Sequence, residues 1–369
     1  MNELLFTIFI GATAVQLIYW MLFLLAISFY KNKIGSESEN KAGVSIIICA
    51  YNELNNLQNL IPKLYEQNFS EYEIIVVNDR STDGTYEFLL EESQSNKLLK
   101  MIGIERSPDH IDSKKYAITL GVKAAKFEKL VFTDADCLPK SNNWIRLMSN
   151  SFGTETEFVL GYSQFKEESG IVNMFSRFET QITGMLYNSF AIIGNPYMAV
   201  GRNLAYRKST FLKNKGFNQF QKVTGGDDDL LVNHFGTKKN LRVYMGKESL
   251  VWSYSKNTLL GYYKQKLRHI SVSKYYKLKD KFLLTMYSLS HLLFWLAFVN
   301  LAAVNYFPEM VFGILAFRLI FNCLVITSTS KKFGERILIW TIPIMDFIYC
   351  FYLIIMGIAA LGTKKVKWN

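Results

Sequence analysis

This sequence has few cysteines and histidines and lacks the familiar catalytic glycine patterns. Its four cysteines and four histidines show no C-x-x-C and no metal-ligand spacing, so neither a disulfide framework nor a structural zinc site is expected. The absence of G-x-S-x-G, Walker and Rossmann glycine patterns argues against the common hydrolases, kinases and dehydrogenases. Charged residues make up only 20% of the 369 and apolar ones 50%, which predicts that part of the chain lies in lipid.

Long apolar runs lie at both ends of the chain. The first covers residues 4–30 without a charge and exceeds the roughly 20 residues that a helix needs to cross a bilayer. Three more lie near the other end, at 282–307, 311–327 and 337–361. They are interrupted only by His291, Arg318 and Asp346. We therefore predict an integral membrane protein with one amino-terminal and about three carboxyl-terminal transmembrane helices.

Basic residues predict the orientation in the membrane. Lys31 and Lys33 follow the first run, whereas Glu3 is the only charge before it, so the positive-inside rule places the central domain in the cytoplasm. A cleaved signal peptide is disfavoured, because it would have a basic start and a shorter apolar core. The tail at 363–369 would then lie outside against the rule, so either the last segment is re-entrant or the rule is overridden there. The expected location is the inner or plasma membrane.

Composition also predicts the division into domains. The expected parts are a transmembrane helix at 1–30, a linker at 31–42, a cytoplasmic catalytic domain at 43–281 with a basic interfacial helix at 257–279, transmembrane helices at 282–362 and a basic tail at 363–369. Much of the net charge of +11 gathers close to the membrane. Membrane lipids, rather than nucleic acid, are therefore the expected partner of the basic surface.

Strand and helix patterns alternate in the first half of the catalytic domain. Continuous apolar runs are typical of strands buried on both faces, and segments with helical spacing lie between them. The strands are predicted at 44–50, 73–78, 100–104 and 129–133, and the helices at 54–65, 86–92 and 114–126. This order predicts an α/β fold with a mostly parallel, Rossmann-like sheet. Farther on, the apolar segment 171–193 is either a core helix or a helix at the membrane interface.

Carboxylates follow two of these strands. Asp79 comes directly after the second strand, and Asp134 and Asp136 follow the fourth. Because open α/β sheets bind ligands outside the carboxyl ends of their strands, all three are candidate ligand-binding residues. In an extended chain Asp134 and Asp136 face the same side, so both can hold one Mg²⁺ or Mn²⁺ together with a diphosphate. A structural role in a turn is the alternative for Asp79.

Two further groups of polar residues lie downstream. The three adjacent carboxylates at 227–229 repel one another, so at least one should have a raised pKa and could serve as a base. The alternative is a helix start, where negative charge suits the helix dipole. Gln265, Arg268 and His269 lie on the basic helix. There Arg268 could clamp an anion and His269 could contact an acceptor, although a solvated basic face also explains the charges.

In order and spacing, these segments resemble the membrane-bound family 2 glycosyltransferases, which have the GT-A fold. The matching segments are VSIIICAYNE at 44–53, EIIVVNDRSTDGT at 73–85, KKYAITLG at 114–121, LVFTDAD at 130–136, GGDDDLL at 225–231 and QKLRH at 265–269. The resemblance implies inverting transfer of a sugar from a nucleotide-diphosphate donor, with a UDP-sugar as the first choice. The implied acceptor is a lipid-linked saccharide or a cell-surface glycan at the cytoplasmic membrane face.

The resemblance also implies roles for individual residues. The residues implied in binding the donor or its nucleotide are Ala50, Tyr51, Glu53, Asp79, Lys114, Asp134 and Arg268. Gln265 and His269 would contact the acceptor or the diphosphate. Asp134 and Asp136 would hold the cation. Asp227 would be the catalytic base. Asp228 is the alternative base, because Gly226 replaces the acidic residue that usually precedes the base.

Two positions depart from the pattern of the family. Thr119 stands where Asn is more usual. His269 replaces the Trp that stacks on the acceptor sugar in the chain-elongating synthases. This second change favours a single addition over the alternative of a processive β-glycan synthase. A catalytically inactive membrane scaffold is a further alternative, disfavoured because every acidic position is occupied.

Overall fold

The computed structural model describes residues 1–35 and 42–362, in which an α/β catalytic part adjoins four long apolar helices. Part of the predicted linker and the whole predicted basic tail at 363–369 lie outside the described residues. The helices are α1 (Asn2–Ser28), α2 (Leu54–Tyr65), α3 (Thr85–Ser95), α4 (Ser113–Ala124), α5 (Trp144–Asn150), α6 (Ile171–Ile193), α7 (Lys208–Lys213), α8 (Asp229–Phe235), α9 (Leu259–Ser273), α10 (Leu278–Ala303), α11 (Pro308–Phe333) and α12 (Ile342–Gly362). The division into domains stays a prediction.

Among the described residues, ten strands form two sheets. They are β1 (Val44–Ala50), β2 (Tyr72–Asp79), β3 (Leu99–Ile104), β4 (Lys129–Phe132), β5 (Cys137–Pro139), β6 (Phe158–Leu160), β7 (Ser163–Phe165), β8 (Leu204–Arg207), β9 (Leu241–Val243) and β10 (Val251–Ser253). The larger sheet has the order β3-β2-β1-β4-β8-β6-β9, and its first four strands are parallel. The smaller sheet, β5-β10-β7, packs beside it and consists of three-residue strands.

The strands in the parallel half of the sheet are buried between layers of helices, as their apolar sequences predict. These strands are mostly apolar because helices cover both faces, and β4 is buried at all four positions, its Lys129 included. Helix α4 approaches β1 closely at Gly121, where an added Cβ would lie 2.7 Å from Ile47 Cγ2. This contact fixes the start of α4, and with it Lys114, near the carboxyl ends of β1 and β4.

Helix α6 is a core helix that lies between the catalytic part and the apolar helices. Its polar side chains Gln181 and Asn188 are fully buried. Gln181 Nε2 donates to Thr329 Oγ1 of α11 at 3.2 Å, and the ring of Phe190 lies 6.3 Å from that of Tyr19 on α1. Of the two alternatives for segment 171–193, the core helix is therefore the one observed.

In the part of the chain that the structure describes, four helical segments are long and apolar enough to cross a membrane, namely α1, α10, α11 and Ile339–Ala359. The charges that interrupt these segments meet in their interior. Arg318 of α11 is fully buried and lies 2.6 Å from the carboxylate of Asp346 on α12. Gln16 of α1 accepts from Arg318 at 2.8 Å, and Asn322 donates to Asp346 at 2.7 Å. An ion pair with hydrogen-bonded neighbours makes two charges tolerable in an apolar bundle.

The loop between α11 and α12 is attached to the catalytic part. Glu335 accepts from Lys140 at 3.2 Å, from Arg177 at 3.3 Å and from Trp252 Nε1 at 3.1 Å. At the end of α1, the hydroxyl of Tyr30 donates to a backbone carbonyl of β9 at 3.0 Å. The loop and the carboxyl end of α1 therefore lie on the same side of the bundle as the catalytic part.

Candidate active site

Three predicted site residues meet in one pocket at the carboxyl ends of β1 and β4. The ammonium group of Lys114, at the start of α4, lies 3.0 Å from Asp134 Oδ1 and 3.2 Å from Asp227 Oδ2. Gly201 and Asp228 also line this pocket. One cation thus joins a predicted donor-binding carboxylate to the predicted base, which come from segments almost 100 residues apart.

The charges around Lys114 fix the ionisation of Asp227. Burial alone would raise the pKa of Asp227, but the ammonium groups of Lys114 and Lys115 outweigh it and the pKa is lowered. Burial likewise opposes the charge of Lys114, yet Asp134 and Asp227 hold the pKa of Lys114 above its usual range. Asp227 is therefore ionised at neutral pH, as an acceptor of a proton must be.

Asp228 has a different environment. Its Oδ2 accepts from the backbone N–H of Gly201 at 2.5 Å, and its Oδ1 accepts from the backbone N–H of Asp229 at 2.8 Å, at the start of α8. Burial, followed by the charge of Asp227, raises the pKa of Asp228 to about 6. Because both of its oxygens serve the backbone, the geometry favours Asp227 as the base.

Asp228→Asn is expected to lower the melting temperature, because its amide can accept only one of the two backbone N–H bonds, and this loss should shrink as the pH rises through 6. The pKa of Asp228 in the folded state, about 6, exceeds the ordinary 3.8. Its contribution to stability is therefore fully present below pH 3.8 and is lost as the pH rises through 6. The measurement is thermal unfolding of the purified chain in detergent at a series of pH values.

Asp83→Asn is the control for this series, and its effect on the melting temperature should depend on pH in the opposite direction. The pKa of Asp83 is lowered, because hydrogen bonds from Thr85 and Leu54 outweigh the effect of burial. Losing its charge should therefore destabilise the protein at neutral pH. A melting temperature of Asp228→Asn that falls equally at every pH would contradict the role given to Asp228.

The residues after β4 suit a divalent cation. Ligand atoms of Asp134, Asp136 and Cys137 all lie within 4.8 Å of one another. Burial and then the charge of Asp134 raise the pKa of Asp136, and burial also raises the pKa of Glu53 nearby. Two crowded carboxylates favour a bound cation, and their oxygens are the ligands that Mg²⁺ and Mn²⁺ prefer. Burial holds the pKa of the Cys137 thiol well above its usual range, so the two carboxylates fit such a cation better than the thiol does.

The predicted nucleotide side lies at the ends of β1 and β2. Asp79 is buried and its Oδ1 accepts from Arg80 Nε at 2.8 Å. The loops that follow β1 and β2 are joined, since Asn52 Oδ1 accepts from the backbone N–H of Thr82 at 2.8 Å. Asp83 contributes a structural bond, accepting from the backbone N–H of Leu54 at 3.2 Å.

This edge of the sheet also presents groups that a donor could use. Ala50 is buried, so only its backbone is available, whereas the side chain of Tyr51 is 45% exposed. Asn78 Oδ1 and Thr133 Oγ1 are buried, and neither has a hydrogen-bond partner among the described residues. Buried polar atoms are normally satisfied, so a bound water or a polar group of a ligand would have to serve these two.

Helix α9 carries the remaining predicted residues. Lys266 holds it to α6 by an ion pair with Glu179, and Gln265 Oε1 is buried without a partner in the described chain. His269 reaches solvent, yet the surrounding protein, and then the charges of Lys266 and Arg268, lower its pKa well below the usual range. Arg268 is partly buried. His269 is therefore neutral at physiological pH and can donate or accept one hydrogen bond.

Lys115 is a site residue that the sequence did not reveal. It is fully buried, and its ammonium group donates to the backbone carbonyls of Val223 and Gly225, just before Asp227. Gly226 follows with φ +72°, and an added Cβ there would lie 2.8 Å from Val272. The acidic residue that the family usually has at this position would be strained here. Consecutive residues on a helix point about 100° apart, so Lys114 and Lys115 reach different partners.

Lys115→Met is expected to lower kcat about tenfold and to lower the melting temperature. The substitution leaves two buried carbonyls without their donor, at a cost of about 1–3 kcal/mol each, and loosens the loop that positions Asp227. The test is steady-state transfer kinetics together with thermal unfolding. Lys123→Met, on the exposed face of the same helix, is the matched control. Unchanged kcat in a destabilised Lys115→Met protein would restrict Lys115 to a structural role.

Comparison with solved structures defines the class of the fold. The chain resembles a mannosyltransferase from Pyrobaculum calidifontis, solved in complex with GDP-Man and Mn2+, with a TM-score of 0.64 over 99% of each chain. The two sequences are 16% identical, so the likeness concerns the fold alone. It is the GT-A fold of nucleotide-sugar-dependent glycosyltransferases, and the predicted fold class is confirmed.

Sequence comparison gives the family. The model of Glycosyl transferase family 2 matches residues 45–213, and that of Glycosyl transferase family group 2 matches residues 134–360. A poly-beta-1,6-N-acetyl-D-glucosamine synthase of Staphylococcus epidermidis is 24% identical over 340 residues, 90% of this chain and 80% of the relative. A protein of the same name from Staphylococcus aureus is 21% identical over 228 residues, 61% of this chain and 53% of the relative.

The chain belongs to the family 2 glycosyltransferases. The enzyme class predicted from the sequence is thereby confirmed. The roles of the individual site residues stay predictions.

Proposed function

We propose that this chain transfers a sugar, with inversion, from a UDP-sugar to a lipid-linked saccharide or cell-surface glycan. The observation that carries the proposal is the position of Lys114 between Asp134 and Asp227. One ammonium group thus lies between the carboxylate proposed for the donor and the carboxylate proposed for the acceptor hydroxyl.

The reaction follows from these positions as a single displacement. The carboxylate of Asp227 takes the proton of the acceptor hydroxyl, whose oxygen attacks the anomeric carbon as the bond to the diphosphate breaks. Lys114 keeps Asp227 ionised until the proton arrives, and its charge also favours the departing diphosphate. A divalent cation held by Asp134 and Asp136 would neutralise charge on that leaving group. Attack from the opposite face converts an α-linked donor into a β-linked product.

The donor and cation are proposed from the relatives and the site together. The Staphylococcus proteins are named for a polymer of N-acetyl-D-glucosamine, so UDP-N-acetylglucosamine is the first donor to test. The archaeal structure holds GDP-Man with Mn2+, which makes GDP-sugars the second. Mg²⁺ and Mn²⁺ both suit a pair of carboxylates.

We also propose that the catalytic part lies in the cytoplasm, against the plasma membrane. The loop at Glu335 and the end of α1 both contact the catalytic part, and basic residues flank them on this side. The positive-inside rule assigns such a side to the cytoplasm. Nucleotide sugars are then on the side where cells make them, and membrane lipids surround the apolar helices.

A processive synthase of a β-linked glycan is the second candidate function. The names of the Staphylococcus relatives favour it. Neutral His269, in place of a stacking Trp, favours a single or short addition, because an imidazole offers a smaller face to a sugar ring. An inactive scaffold is disfavoured, because the carboxylates and Lys114 are assembled in one pocket.

Sugar transfer by the full chain in native membranes tests the proposal. Labelled UDP-, GDP- and dTDP-sugars are each supplied with Mg²⁺, with Mn²⁺ or with a chelator, and products are separated by size. We expect cation-dependent transfer into a lipid extract in short products, and none from Asp227→Asn. Long polymer would favour the synthase. No transfer from any donor, with folded protein present, would overturn the proposed function.

A further inference from the structure

Arg202 lies beside the active-site pocket and forms no ion pair with the residues that the structure describes. It is on the short 3-10 turn Gly201–Asn203 that leads into β8, next to a pocket-lining glycine. Its guanidinium carbon lies 4.7 Å from the centre of the Phe165 ring. Its Nη1 is buried, and within residues 1–35 and 42–362 the guanidinium has no hydrogen bond or ion pair with the protein.

The charges around Arg202 place it on the catalytic cleft. Its charge offsets part of the rise in the pKa of Asp136 and adds to the lowering of the pKa of His269. The guanidinium is therefore within electrostatic reach of a predicted cation ligand and of a predicted acceptor contact. Gln265 Oε1, also buried without a partner in the described chain, comes from the helix that carries His269.

Arg202 is partly buried, and its buried Nη1 lacks a hydrogen-bond partner among the described residues. Leaving a buried polar donor unsatisfied is costly. The Phe165 ring compensates only in part, because a cation–π contact is worth about 0.5–2 kcal/mol. It does, however, hold the flat guanidinium in one plane. An oriented arginine with free donors suits bidentate binding of a phosphate or carboxylate group.

We propose that Arg202 binds an anionic oxygen of a substrate in the catalytic cleft, with the Phe165 ring as its support. The inference rests on the proposed sugar transfer and adds a substrate contact to it. Two sources share this chemistry, namely the diphosphate of the donor and an acidic group on the acceptor. In the first case Arg202 and Lys114 hold the same diphosphate. In the second, the enzyme selects an acceptor that carries a phosphate or carboxylate.

Binding measurements on the purified full chain in detergent separate these sources. One arm titrates UDP with Mn²⁺ by calorimetry, and the other titrates inorganic phosphate at saturating UDP and Mn²⁺. Arg202→Gln should weaken either the binding of UDP or the binding of phosphate by at least about tenfold, since it removes a charge-assisted contact. Weaker UDP binding identifies the donor diphosphate, and loss of phosphate binding alone identifies an acceptor-side anion. Arg202→Lys and Phe165→Leu should give intermediate losses.

The controls separate this inference from the proposed function. Arg146→Gln removes an exposed arginine of α5 that contacts Asn143, and should change neither arm. If wild-type protein binds no nucleotide diphosphate with a cation, the proposed function itself fails. If wild type binds and Asp136→Asn does not, while Arg202→Gln matches wild type in both arms, only the inference about Arg202 is overturned. Equal melting temperatures show that the variants are folded.

Discussion

Asp227→Asn is expected to lower kcat of sugar transfer by about 10²–10⁴-fold, the usual contribution of a positioned base. Binding of UDP with Mn²⁺ should change by less than about threefold, because Lys114 keeps its second partner, Asp134, at 3.0 Å. Single-turnover transfer and calorimetric binding of UDP measure the two quantities separately. A variant that retains more than about a tenth of wild-type kcat would exclude Asp227 as the base.

The pH dependence of the wild-type enzyme checks the same assignment. The lowered pKa of Asp227 keeps the base ionised, so kcat should show no loss attributable to it between pH 6 and 8. An acidic limb close to pH 6 would point instead to Asp228, whose pKa is raised to about 6. In that case Asp228→Asn, rather than Asp227→Asn, should abolish transfer.

Asp136→Asn is expected to reduce transfer at least about a hundredfold at ordinary cation concentration. A cation on the leaving group is worth several kcal/mol, and each 1.4 kcal/mol corresponds to a factor of ten. Replacing one carboxylate of the pair weakens the binding of the cation, so a higher concentration of Mn²⁺ should restore part of the activity. The measurement is transfer rate as a function of Mn²⁺ concentration, with the midpoint expected to shift upward.

Cys137→Ala is the matched control for this prediction. The thiol lies in the same cluster as Asp134 and Asp136, but its raised pKa keeps it protonated. We expect its Mn²⁺ midpoint to equal that of wild type. A midpoint that shifts as far as in Asp136→Asn would make the thiol a ligand and favour a softer metal.

The parallel half of the fold could be predicted because the physics there is local. Strands buried on both faces are mostly apolar, and β1, β2 and β4 can be recognised in the sequence by such apolar runs. The strands of the smaller sheet could not be predicted. Three residues are too few to show a period, and their pairing is decided by distant parts of the chain.

The candidate site likewise contains residues that could be predicted from the sequence and residues that could not. Asp79, Asp134 and Asp136 could be placed at one edge because the carboxyl ends of parallel strands meet there, whereas Asp227 was joined to them by the resemblance to the family. Lys115 and Arg202 could not be placed. Their importance lies in what their side chains meet, namely loop carbonyls and the Phe165 ring, and no spacing in the sequence encodes those contacts.

The ion pair between Arg318 and Asp346 bears on how the protein is made. Until α12 enters the membrane, α11 carries a guanidinium in lipid without its anion, which costs about 2.5–3.5 kcal/mol or more. Gln16 of α1, made first, is already there to accept from it. The bundle is therefore expected to close only when α12 supplies the carboxylate of Asp346. A chain that stops before Asp346 would leave the charge of Arg318 without its anion within the bilayer.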